Sequence, residues 1–411
     1  MFDMMPMPHA ADQGELAREL DPEALAALDR ADLPDPPPLP VPSRARRPRV
    51  LPAPTRKGRG AAINPPSRFE SQAVAPFDDG WSTLEAELAD LPPLPTTLTR
   101  DASRSVISYN QSPDLGFDRA VNPYRGCEHG CVYCFARPTH AYLGYSPGLD
   151  FETRLLFKPD VAELLERELR KPGYVARPLA LGSNTDPYQP VERTLKLTRA
   201  VLEVLSRFGH PVSIVTKSAG VLRDLDVLQD LAKRRLVRVW LSVTTLDATL
   251  ARQMEPRAAT PTRRLQAVSG LRAAGVPVGV LAAPMIPGLN DVEMERILQE
   301  AAAAGAGTAG YILLRLPHEI KQIFEDWLER HVPQRARHVL ELVRSTRAGA
   351  LNDARFGQRM SGTGAYADLL ARRFARAAKQ YGLEGRMELD CAAFAPPPAP
   401  KGLAEAQMSL F

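Results

Sequence analysis

Cys127, Cys131 and Cys134 stand in the run Asn122-Pro-Tyr-Arg-Gly-Cys-Glu-His-Gly-Cys-Val-Tyr-Cys-Phe, spaced CxxxCxxC. Three thiolates on one short loop can hold three irons of a cubic [4Fe-4S] cluster and leave the fourth without a cysteine. An iron with an open position is a reaction site, whereas a cluster closed by four cysteines only carries electrons. Zinc competes for the same residue type, usually as paired CxxC knuckles with four ligands in total. The chain has 4 cysteines; the remaining one, Cys391, is distant in sequence and reads as a buried free thiol. A second cluster with ordinary cysteine ligation therefore cannot form. His129 or His140 could complete a zinc site, although His129 reads as an exposed loop residue. A non-enzymatic zinc-binding module associated with nucleic acid is the alternative reading.

The pattern around the cysteines is an alternation of short β-rich runs with longer amphipathic ones. Strands are expected at 106–109, 120–123, 151–157, 179–183, 212–216, 237–243, 278–282 and 311–315. Helices are expected at 160–170, 190–208, 221–235, 261–274, 292–304 and 319–329. Such β–α alternation gives a parallel sheet with crossover helices, here a partial (β/α)6 barrel in the α/β class. The domain reading is a disordered Pro-rich and basic arm over 1–60, an N-terminal extension over 61–105, a barrel over 106–332, and a purely helical C-terminal extension ending in a tail over 333–411.

Barrel chemistry sits in loops after the C-terminal ends of strands. The cysteines follow the 120–123 strand, and Gly126 and Gly130 suit a loop that must wrap closely around a cluster. Ser183, Asn184, Thr185 and Asp186 follow another strand and crowd polar groups where turn chemistry alone would also place them. Lys217 ends the 212–216 strand. Ser242 and Thr244 alternate with apolar residues, so both are expected to face the interior. Met285 and Ile286 are candidates for apolar contact with a ligand, Asn290 or Asp291 for a helix cap, and Arg315 and His318 for facing substrate. Gly362-Thr-Gly is read as a turn between helices.

The 411-residue chain is 44% hydrophobic and 24% charged, an ordinary composition for a soluble protein. Its net charge of +4 does not by itself argue for a polyanionic partner. No signal peptide and no membrane-length apolar run is visible, and the cysteine usage is not a disulfide framework, so a reduced cytoplasmic setting is expected. The run Leu33-Pro-Asp-Pro-Pro-Pro-Leu-Pro-Val-Pro can join neither helix nor sheet. The basic patch from Arg44 to Arg59 reads as a solvated flexible segment or as a nucleic-acid-contacting arm.

CxxxCxxC with an aromatic, Tyr133, before the last cysteine resembles the signature of the radical S-adenosylmethionine (SAM) enzymes. The surrounding Asn-Pro-Tyr-Arg-Gly-Cys and Gly-Cys-Val-Tyr-Cys resemble the branch containing spore photoproduct lyase, and within it a bacterial subgroup of unassigned function. Lys57-Gly-Arg-Gly-Ala-Ala, Asn64-Pro-Pro-Ser-Arg-Phe-Glu and Gly182-Ser-Asn-Thr-Asp-Pro-Tyr-Gln-Pro support the match, which spans about residues 57–385. The resemblance implies that SAM chelates the open iron and that reductive cleavage yields a 5′-deoxyadenosyl radical. It further implies SAM contacts from Tyr133, Ser183, Asn184, Lys217 and Ser242. A reductase such as flavodoxin or ferredoxin would be the partner, and nucleic acid a candidate substrate. One departure stands out. The photoproduct lyases carry a hydrogen-donating cysteine in a Cys-Thr-Ser-Asp-like segment, and Ser183 occupies that place here. A serine O–H is a poor hydrogen-atom donor, so thymine-dimer repair by that route is not expected.

Overall fold

The computed structural model describes residues 56–70 and 94–398; the Pro-rich run and most of the C-terminal tail lie outside the described residues. Its strands are β1 (Thr97–Arg100), β2 (Ile107–Tyr109), β3 (Arg119–Val121), β4 (Tyr124–Arg125), β5 (Arg154–Phe157), β6 (Leu179–Leu181), β7 (Val212–Thr216), β8 (Val237–Ser242), β9 (Val278–Met285) and β10 (Thr308–Leu313). Its α-helices are α1 (Asp150–Thr153), α2 (Val161–Leu169), α3 (Glu192–Leu195), α4 (Leu197–Arg207), α5 (Leu225–Lys233), α6 (Ala248–Met254), α7 (Pro261–Ala273), α8 (Met294–Ala303), α9 (Ile320–His331), α10 (Pro333–Ser345) and α11 (Ala365–Gln380).

The main sheet has seven strands in the order β10-β9-β8-β7-β6-β3-β2. From β3 to β10 every pairing is parallel; β2 caps the β3 edge antiparallel. The crossover helices are amphipathic at helical spacing. In α4, Leu197, Val201, Leu202, Val204 and Leu205 are buried while Glu203 and Arg207 face solvent. Strands covered on both faces become almost continuously apolar, as β9 is. The result is the expected open (β/α)6 barrel.

Three departures from the sequence expectations bear on the site. Residues 151–157 are not one barrel strand: α1 occupies the first part, and β5 belongs to a separate three-stranded sheet, β1-β5-β4, beside the cysteine loop. The expected 190–208 helix breaks at Lys196, whose φ is +52°, because Glu192 Oε2 accepts from the Thr198 amide at 3.1 Å and caps the second helix. The C-terminal extension is not purely helical. After α11 the chain runs under the N-terminal ends of the strands, pairing Glu384 with Thr308. There Arg238 donates to the Met387 carbonyl at 3.1 Å. Phe394 then packs against Tyr174 and His210. The barrel is thus floored at one end and open at the other.

Candidate radical SAM site

At the open end lies a cavity of about 910 Å³, a volume that takes in the open solvent at its mouth. Cys127, Cys131 and Cys134 share its wall with Ser183, Asn184, Lys217 and Ser242. Tyr133, Asp186 and Arg315 also line it. All three cysteines are free thiols, the first two buried. Burial first, then the neighbouring Asp186 and the other thiols, push Cys127 well above an ordinary thiol; burial and Glu255 do the same to Cys131. Such thiols become thiolates only when a cation meets them.

The loop is held from behind by two residues that the sequence reading did not single out. Arg137 and Glu152 have no exposed side-chain surface and meet at 2.5 Å. Arg137 Nε donates to the Cys131 carbonyl at 2.8 Å, and Nη2 to the Gly130 carbonyl at 3.0 Å. Its Nη1 reaches the Gly148 carbonyl at 2.8 Å. Glu152 accepts the Gly60 and Ala61 amides at 2.9 and 2.8 Å. Gly60 must be glycine for space: a Cβ there would sit 1.8 Å from the Gly130 carbonyl oxygen. Residues 56–60, which the sequence reading gave to the arm, are therefore part of the folded body. Gly130 itself has φ +69° and Gly126 φ +80°, the left-handed region that favours glycine.

The strand ends are tied to one another beneath the cavity. Asn122, after β3, donates to Ser183 Oγ at 3.3 Å and accepts the Asn184 amide at 3.1 Å. Asp186 accepts the Thr216 hydroxyl and the Lys217 amide, both at 2.7 Å. His129 Nδ1 lies 3.3 Å from Asp186 Oδ2, the oxygen that also accepts the Lys217 amide. Burial alone would raise the Asp186 carboxyl, but His129, the Lys217 amide and Thr216 hold it at about 2. Tyr133 donates to Thr244 Oγ1 at 3.2 Å, because the Thr244 proton goes to Glu255 at 2.7 Å. Glu255 in turn pairs with buried Arg264. The Lys217 ammonium stands 5.8 Å over the Tyr133 ring.

Several sequence readings are corrected. His129 is buried rather than exposed, and its imidazole is taken by Asp186. His140 turns away to the Arg154 carbonyl at 2.9 Å, and burial pushes it down to about 4. His140 is thus directed away from the cysteines, while His129 lines the cavity beside them with its Nδ1 engaged by Asp186. Met285 and Ile286 are fully buried core residues; Ala283 and Pro284 line the cavity instead. Asn290 is buried and ties the turn, donating to the Thr244 carbonyl at 2.7 Å. Thr244 serves Tyr133 rather than the cavity. Arg315 lines the cavity with its guanidinium 4.8 Å over the Phe135 ring, while His318 is exposed elsewhere. Cys391 is exposed, not buried.

The donor set suits an iron–sulfur cluster: three unpaired thiols on one cavity wall, a loop backbone clamped by Arg137, and unassigned space in front. Residues 121–301 match the radical SAM superfamily model. An uncharacterised protein of Mycobacterium tuberculosis is 40% identical over 232 residues, 56% of this chain and 68% of that one. A spore photoproduct lyase variant has a similar fold, with TM-score 0.52 at 17% identity over 71% of this chain and 82% of its own. A second variant of that lyase, with bound AdoMet and dinucleoside spore photoproduct, has TM-score 0.50 at 15% identity over 71% and 85% of the two chains. The chain belongs to the radical SAM superfamily, whose members use a [4Fe-4S] cluster and SAM. Among the described residues no helix is long and apolar enough to cross a membrane.

Proposed function

We propose that this protein is a radical SAM enzyme in which Cys127, Cys131 and Cys134 hold a [4Fe-4S] cluster and the cavity in front of them takes SAM and substrate. When bound, cluster and SAM together supply a 5′-deoxyadenosyl radical for hydrogen-atom abstraction. The observation that carries this reading is the shared cavity wall of the three thiols with Lys217, Ser183, Asn184 and Ser242.

The chain's own groups have separable roles. Lys217, whose backbone Asp186 fixes, offers an ammonium to the SAM carboxylate. Ser183 and Asn184 are held by Asn122 for the amine, and Ser242 supplies a hydroxyl from the end of β8. Tyr133, its hydroxyl committed to Thr244, presents a ring as the adenine-side wall. The buried apolar floor excludes water from a radical.

The substrate we propose is a nucleic acid. At the mouth, Phe135 is 46% exposed beside Arg315, giving a stacking face and a cation that suit a base and its phosphate. With Ser183 where a thiol donor would stand and Cys391 outside the cavity, the outcome differs from thiol-quenched dimer reversal. The test is anaerobic reconstitution with iron and sulfide, then SAM and dithionite. The expected products are 5′-deoxyadenosine and methionine, with about four irons per chain; one tightly held zinc and no SAM cleavage would overturn the proposal.

A further inference from the structure

Outside the cavity, the segments that follow β6, β7 and β8 enclose a second depression. It measures about 530 Å³, open solvent at its mouth included. Arg193 in α3, Arg257 in the turn after α6 and Arg263 in α7 line it, with Ser218 and Gly220 from the turn after β7. No acidic residue lies in its wall. None of the three arginines lines the cavity, although His129 borders both.

These arginines are placed for a ligand rather than for the fold. Elsewhere exposed or half-buried arginines meet a neighbouring acid: Arg199 reaches Asp226 at 2.7 Å and Arg207 reaches Glu166 at 2.8 Å. Arg193 and Arg263 are exposed and have no carboxylate partner among the described residues. Arg263 also stands in the first turn of α7, where the helix dipole disfavours a cation and no acid offsets it. Arg257 is fixed from two sides. Its amide donates to the His129 carbonyl at 3.3 Å, and its guanidinium lies 2.9 Å from buried Glu128. Three arginines against that one carboxylate leave an excess of two positive charges. Ser218 Oγ accepts the Gly220 amide at 3.0 Å and keeps its own proton to donate.

We propose that this depression is a phosphate-binding site, separate from the SAM cavity. A carboxylate has only two oxygens for the donors gathered there. A phosphate group offers three acceptor oxygens and up to about two negative charges. The planar guanidinium fork matches its oxygens pairwise, and Ser218 adds a neutral donor. One phosphomonoester, or two successive phosphodiesters of a strand, would balance the excess charge. The same contacts therefore serve a small phosphorylated compound or the backbone of a nucleic acid. The site stands on the arginines alone and holds whether or not the cavity cleaves SAM.

The test uses the full-length protein with an Arg193→Gln/Arg263→Gln and an Arg193→Lys/Arg263→Lys variant. Inorganic phosphate is titrated calorimetrically, and a fluorescein-labelled single-stranded oligonucleotide is followed by anisotropy at fixed ionic strength. Phosphate should bind the parent protein and bind the glutamine variant at least about tenfold more weakly, charge-assisted contacts being lost. The lysine variant keeps the charges and loses the forks, so it should fall between. Far-UV circular dichroism should be the same in all three, which guards against misfolding. Oligonucleotide binding that weakens in the same order, with phosphate competing, would assign the site to a strand backbone. Oligonucleotide binding that does not change would assign it to a small phosphorylated compound. No uptake of phosphate by the parent protein, or equal affinity in all three proteins, would overturn the proposal.

Discussion

Arg137 Nη2 and Glu152 Oε1 form an ion pair at 2.5 Å with neither side chain exposed, and between them they hold both the cysteine loop and the segment that lies over it. Arg137 spends its remaining donors on backbone carbonyls, so the pair is fully hydrogen-bonded. That is the condition under which a buried pair is tolerated.

Glu152→Gln should therefore be costly. It leaves the Arg137 charge buried without a counter-charge, a loss of about 3–5 kcal/mol when one partner of such a pair is removed. Chemical denaturation should show the drop, and iron content after reconstitution should fall with it. A variant with parental stability and full iron loading would show that the clamp is dispensable.

Gly60→Ala isolates the loop from global stability. A methyl group at the Gly130 carbonyl oxygen forces the two segments apart. Far-UV circular dichroism should stay native while the iron-to-protein ratio falls at least by about half, the loop being displaced from its clamped position. Retained iron would mean that the overlying segment yields instead.

Lys217→Met keeps the side-chain length and removes the ammonium. A hydrogen bond to a charged group contributes about 1.5–3 kcal/mol, so SAM affinity should weaken by about 10- to 150-fold. Equilibrium binding measures this without turnover. Ser242→Ala should weaken it less, the lost bond being a neutral one.

Acid should destabilise the fold through two buried histidines. Burial pushes both His140 and His210 down to about 4, against about 6.5 in an unfolded chain. Below about pH 6.5 the unfolded state takes protons that the folded state refuses. Stability should thus fall as pH drops from about 6.5 toward about 4, by up to ~1.4 kcal/mol per unit for each histidine. His210 donates from one nitrogen to the Pro211 carbonyl and accepts from Tyr174 on the other, which fixes it neutral. Urea titrations across this range check the slope, and His210→Gln should flatten it.

The barrel was legible because its information is local. Period-2 and period-3.6 apolar patterns marked the parallel strands and their crossover helices, and the cysteine spacing marked the loop. What the sequence did not disclose depends on long-range pairing. Glu152 reads as an ordinary helix acid until Arg137 and the amides of residues 60 and 61 meet it. Met285 and Ile286 looked like ligand contacts because the expected strand ended at residue 282, but β9 runs on to Met285, both side chains are buried in the core, and Ala283 and Pro284 are left at the surface of the cavity. His129 seemed exposed because it sits among glycines and polar residues; only the position of Asp186, 57 positions on by the numbering, buries it. Cys391 failed the usual preference of free cysteine for the interior because its segment runs along the underside of the sheet.

The glycine pressed against the loop from about 70 positions upstream has a consequence for modularity. The three ligands travel together on one short piece of chain, yet their scaffold does not. A fragment cut to the barrel alone would carry every sulfur and lack the lid that sets their arrangement. Grafting the reactive centre into another protein would require transplanting two separated stretches at once.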